Sequence, residues 1–150
     1  MSVGDLCIRE VVIVERHESV REAARLMREH HVGDVVVAEE RHGRRFPVGI
    51  LSDRDIVLEV LAEDLAPEAV DIGDLMSADL LTAREGDELS DTIKRMKERG
   101  VRRLPVVDEA GALVGILALE DLVELIGEQL RDLVGLLNAE LRHERQRRGS

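Results

Sequence analysis

Apolar residues along this chain fall into two kinds of run: short blocks dominated by Val, Leu and Ile, and longer stretches in which they return every three or four positions. The short blocks are residues 11–14, 35–37, 47–51, 80–83, 104–107 and 113–117, each of strand length and suited to a pleated surface. The longer stretches are helical. Val20, Ala23, Ala24, Met27 and His31 share one face, and Leu89, Ile93 and Met96 share another, with Gly100 placed to close the second helix in a left-handed cap. The stretches at 39–45 and 108–111 join neighbouring strands as hairpins, the second expected to be the tighter. Pro105, inside a strand block, predicts an edge position or a missing ladder partner.

The pattern occurs twice. Val3-Gly4-Asp5-Leu6 lies over Ile72-Gly73-Asp74-Leu75, a shift of 69 residues that carries Val20 onto Leu89, Met27 onto Met96 and Val32 onto Val101. Beyond 39–45 the shift falls to 66, so that Val48-Gly49-Ile50-Leu51-Ser52-Asp53-Arg54-Asp55 meets Val114-Gly115-Ile116-Leu117-Ala118-Leu119-Glu120-Asp121. In each copy a strand passes a glycine and feeds a helix, with an aspartate in its first turn. The expected fold class is α+β: two β-α-β-β-α repeats at 3–63 and 72–130, a linker at 64–71 containing Pro67, and an extension at 131–150. The last helix does not stop where its counterpart does. Leu122, Ile126, Leu130, Leu133, Leu137 and Leu141 continue the apolar stripe, either to pack on the protein's own helices or to form a subunit interface or short coiled coil. A basic finish, 142–148, suits a solvated helix C-terminus.

Composition narrows the chemistry. Aromatic content is 1%, with Phe46 alone, so the core is aliphatic and stacking on nucleic-acid bases is nearly excluded. A formal charge of −11 repels phosphate backbones and anionic membrane surfaces, which argues against nucleic-acid and membrane partners. The lone Cys7 and the lack of an opening signal segment make a reducing cytoplasm the expected location. No histidine or cysteine spacing indicates a metal, no nucleophile–base arrangement indicates an enzyme, and no glycine-rich phosphate loop is present.

The duplicated order of Val101-Arg102-Arg103-Leu104-Pro105-Val106-Val107-Asp108, Leu113-Val114-Gly115-Ile116-Leu117 and Asp121 resembles a pair of CBS domains, the cystathionine β-synthase repeat, in the stand-alone prokaryotic form called a Bateman module. The likeness covers residues 3–130. It implies two repeats packed sheet to sheet about a pseudo-twofold axis, a homodimer, and crevices that take an adenosine compound: AMP, ADP, ATP or S-adenosylmethionine. Such a ligand is regulatory, and no obligatory cofactor is expected. The alternative is a ligand-independent dimeric scaffold whose long final helix recruits an unidentified regulated protein.

Carried over position by position, the resemblance places Asp55 with Arg102 and Arg103 in one crevice and Asp121 with Ser52 and Arg54 in the other. A carboxylate accepts from both vicinal ribose hydroxyls, and paired guanidiniums chelate phosphate oxygens. Val12, Ile13, Ile50, Leu81, Thr82 and Ile116 would line the base. Each assignment has a plainer counterpart. Asp55 and Asp121 suit a helix N-terminus whatever they bind, the arginines suit surface ion pairs, and the apolar six suit core packing. Ala118 and Glu120 stand in the second copy where the first has Ser52 and Arg54, and Gly33 and Asp34 stand where the second has Arg102 and Arg103, so the crevices are expected to be unequal.

Overall fold

A computed structural model describes residues 1–149. Met1–Leu117 form one compact unit, and a second begins at Ala118. The first unit holds repeat one and repeat two as far as Leu117. Repeat one runs α1 (Val3–Leu6), β1 (Ile13–Val14), α2 (Val20–His30), β2 (Asp34–Arg41), β3 (Arg44–Ser52) and α3 (Asp53–Ile56), whose last turn widens into a π-helical segment, Val57–Leu61. Repeat two runs α4 (Ile72–Leu75), β4 (Ala83–Arg84), α5 (Leu89–Arg99), β5 (Arg103–Val107) and β6 (Leu113–Ala118). The second unit is α6 (Leu119–Arg148).

Each repeat builds one three-stranded sheet, ordered β1-β2-β3 and β4-β5-β6. The first strand of each is only two residues long, shorter than its apolar run, and pairs in parallel with the second: Ile13 with Val36, Ala83 with Val106. β2 and β3 are antiparallel, Val35 opposite Leu51 and Asp34 opposite Ser52. The helices form where the periodicity places them. Ser19 caps α2 by accepting from the Glu22 amide at 3.3 Å, and Gly100 ends α5 at φ 65°.

Two expectations need correction. The tight hairpin is the first one: β2 and β3 meet around His42 and Gly43, at φ 52° and 76°, the two-residue turn whose twist matches the flanking strands. The charged stretch 39–45 read as a loop, yet its charges stay on the ladder, with Arg41 bonded to Glu39 at 2.9 Å and lying 5.2 Å over the Phe46 ring. The second hairpin turns more broadly, the Asp108 carboxylate accepting from the amides of Ala110 at 2.9 Å and Ala112 at 3.0 Å. Arg44, from the first hairpin, also bonds Asp108 and holds its carboxyl below the usual aspartate range. Pro105, for its part, sits in the central strand, so of the two readings only the missing ladder partner survives. At the matching place in repeat one the Val36 amide donates to the Val12 carbonyl at 3.0 Å. Pro105 has no amide to give, and β4 pairs only from Val106 onward.

The repeats complete each other. The opening segment of each docks on its partner: the Val3 and Gly4 amides donate to the Asp87 and Glu85 carbonyls, and the Ile72 and Gly73 amides to those of Glu18 and Arg16, all at 2.8–2.9 Å. Ile72 accordingly lies in the core of repeat one, with Val14, Val20, Ala23, Met27, Val35, Val37, Leu51 and Val60. Further on, Ser77 bridges to Ile50 and Ile8 to Ile116, each adding an antiparallel edge to the other repeat's sheet. This crossing is why a glycine stands in β3 and in β6. A Cβ on Gly49 would lie 2.8 Å from the Ser77 carbonyl oxygen and 2.7 Å from Met76 Sδ; on Gly115 it would lie 2.8 Å from both the Ile8 oxygen and Cys7 Sγ. Cys7 and Met76 are thus equivalent packing residues, and partial burial raises the Cys7 thiol above its ordinary pKa.

Candidate functional site

Alternation along β2 and β3 separates two faces. Val35, Val37 and Leu51 point into the repeat's own core, whereas Asp34, Val36, Ile50 and Ser52 belong to the opposite face. Ile13, paired with Val36, extends that face into a cross-strand row Ile13–Val36–Ile50, with Ser77 beyond. Next to this apolar row lies a polar one, Asp34 opposite Ser52, where β3 gives way to α3.

The first turn of α3 is a reciprocal cap. The Asp55 amide donates to Ser52 Oγ at 3.1 Å, and the Ser52 amide donates to Asp55 Oδ2 at 2.9 Å. One aspartate oxygen is therefore in structural use, as the plain reading holds, and the carboxyl is half-buried rather than surface-exposed. The Asp53 amide donates to the Gly33 carbonyl at 2.8 Å, tying the helix start to the chain entering β2. Arg54 is exposed in the same turn.

Repeat two reaches this corner through Arg103. Its Nη1 lies 3.0 Å from Asp34 Oδ1, with the two side chains only 30% and 14% exposed. Asp34 and Arg103 occupy the same position in the two repeats, so opposite charges meet where the copies face one another. Of the arginine pair, Arg103 is half-buried and joined to an acid, and Arg102 is exposed. Paired in this way, Arg103 meets a ligand only in competition with Asp34. In the sequence Asp34 stands only as a departure from the arginine pattern. Its signal was its position, opposite in charge to Arg103 at the equivalent place in the repeat.

The apolar residues divide. Val12 and Ile13 line a cavity of about 610 Å³ with Leu26, Val32, Leu113 and Val114 and with the polar Arg9, His30 and Arg45 at its sides. Thr82 lines another, polar one with Arg84, Asp87, Arg95 and Asp108. Leu81 lies just before β4, half-buried, and its carbonyl is the one that Pro105 leaves without the ladder bond. Ile50 and Ile116 sit at the two crossings, half-buried. Asp121 falls in the first turn of α6, behind Ala118, which offers no side-chain cap.

Among the described residues no cluster of histidine, cysteine and carboxylate could hold a metal ion, and no helix is long and apolar enough to cross a membrane. The family model for the CBS domain matches the chain twice, at residues 3–62 and 72–128. The chain belongs to the CBS domain family. It is 36% identical over 125 residues to an uncharacterised protein of Methanopyrus kandleri, spanning 83% of this chain and 62% of that one. It is also 36% identical over 121 residues to the CBS domain-containing protein YhcV of Bacillus subtilis, spanning 81% and 82%. Among solved structures, the CBS domain pair of protein MJ0100, in complex with 5′-methylthioadenosine and S-adenosyl-L-methionine, superposes with a TM-score of 0.74 at 26% identity, covering 86% of this chain and 98% of that one. This CBS pair spans less than two thirds of its Methanopyrus relative.

Proposed function

We propose that this CBS pair is a regulatory module that binds an adenosine-containing ligand between its repeats. The observation that carries the reading is the corner where Asp34 of one repeat holds Arg103 of the other beside the Ser52–Asp55 turn. A ligand there touches both repeats at once, and a molecule that bridges two bodies biases their arrangement if it fits one arrangement better than another. Ribose hydroxyls would donate to Asp55. The base would lie against the half-buried Ile13 and Ile50 on either side of the buried Val36, and a phosphoryl or carboxylate group would exchange with Asp34 for Arg103. The bound MJ0100 pair supports an adenosine compound as the ligand class. The regulated process would follow from partner surfaces that shift when the corner is occupied, with no chemistry at the site itself.

Calorimetric titration with AMP, ATP and S-adenosylmethionine tests this, comparing the natural chain with Asp55→Ala and Asp121→Ala. Hydrogen bonds to a charged group contribute about 1.5–3 kcal/mol each, so Asp55→Ala should weaken binding at least about tenfold. Heat of binding absent for all three compounds, or unchanged in both variants, would sink the reading.

A further inference from the structure

The long helix α6 carries a second interaction surface, independent of the ligand reading. Residues 129–148 lie beyond the family match. Along α6, Leu119, Val123, Ile126, Leu130, Leu133 and Leu137 recur at steps of four, three, four, three and four, the 3.5-residue repeat of a coiled-coil seam, with the exposed Val134 and Leu136 widening it near its middle. Leu141 continues it, five turns beyond Val123. From Val123 to Leu141 the residues at these steps are 52–61% exposed. Charge along the helix is polarised. Residues 119–132 hold five acids and one base, whereas 133–148 hold four arginines and two acids. A partner helix with the same polarity running alongside would set acid against acid and arginine against arginine; the same helix reversed sets each end against its opposite and aligns the helix dipoles favourably. The chain thus supplies its own complement.

We infer that α6 pairs antiparallel with α6 of a second copy of this chain. Leu130 and Leu133 of one copy meet Leu133 and Leu130 of the other at the centre. Ile126 lies against Leu137, and Val123 against the turn that holds Glu140 and Leu141, with Asp121 beside Arg142. A helix of 30 residues is roughly 45 Å long, ample for three such layers on each side of the axis.

Cysteine cross-linking tests orientation and partner together. In a Cys7→Ser background, Val123→Cys and Leu141→Cys chains are prepared separately, mixed and mildly oxidised. The antiparallel pair gives a disulfide-linked dimer only from the mixture. Dimers from either chain alone would overturn the orientation, and no cross-link in any sample would overturn the pairing. In parallel, Leu130→Glu combined with Leu133→Glu, both at exposed positions, should leave the circular dichroism of the repeats unchanged and halve the mass measured by light scattering. An unchanged mass, or a natural chain that associates through α6 only when another protein is added, would overturn the proposal as well.

Discussion

The two repeats are alike where backbone meets backbone and unlike where side chains would meet a ligand. Both open with a short helix that docks on the other copy, and both keep a glycine where the other's chain crosses. Yet Ser52 becomes Ala118, Arg54 becomes Glu120, Asp34 becomes Arg103 and Val36 becomes Pro105. Packing between the copies constrains each repeat to the same backbone, because a deviation on one side removes the partner surface of the other. The positions that face the corner carry no such obligation. A duplicated scaffold has in this way produced a single, unsymmetrical corner in the first unit, acidic on one side and basic on the other.

Gly49→Ala and Gly115→Ala strike at the shared part and should cost the most. Each added methyl meets a backbone oxygen at 2.8 Å, so each should destabilise by about 1–3 kcal/mol in urea unfolding. The two losses should be similar, and a large loss at one glycine beside none at the other would break the equivalence of the crossings. The divergent part is probed by Asp34→Asn, Arg103→Met and the double variant. A half-desolvated pair falls between the exposed and buried limits, which puts the coupling at about 1–2 kcal/mol. A cycle with no coupling would show that the two repeats do not hold each other at this corner. The smallest effect tests the unequal helix starts. Ser52→Ala removes a cap that contributes about 1 kcal/mol, whereas Ala118→Ser, which places a hydroxyl three residues before Asp121, should add several tenths of a kcal/mol. A fall in the urea midpoint for Ser52→Ala beside a smaller rise for Ala118→Ser would mean that the capping box transfers between repeats, and a loss in both would mean that Ala118 has been fitted to another role.

Much of this architecture is legible in sequence because it is local. The three- and four-residue spacing in 20–31 and 89–96 places α2 and α5, and the doubled Val-Gly-Asp-Leu and Ile-Gly-Asp-Leu openings reveal the duplication. What escapes a linear reading is any relation between copies. Nothing near Gly49 indicates that Met76 and Ser77 cross it, since the atoms concerned are far apart along the chain. His42-Gly43 was obscured by its charged neighbours, which read as loop until the ladder pairs them. The strand alternation brings Ser52 beside Asp34, but only the packing of one sheet on the other brings Arg103 there. The candidate site was therefore half legible. Asp55 and its cap follow from the strand-to-helix boundary, whereas the ion pair that defines the corner does not.

The reciprocal docking of the opening segments also bears on how the protein is made. A ribosome that has delivered all of repeat one has not yet delivered Ile72, which fills that repeat's core, or Ser77, which borders its sheet. The nascent first repeat must wait with an incomplete interior, and the second, when it arrives, finds its own missing border already synthesised in Val3 to Ile8. Neither half reaches its final form before the other, so the pair matures in one late, cooperative step, and a nascent chain halted between the repeats would leave its sheet edge open to a neighbour.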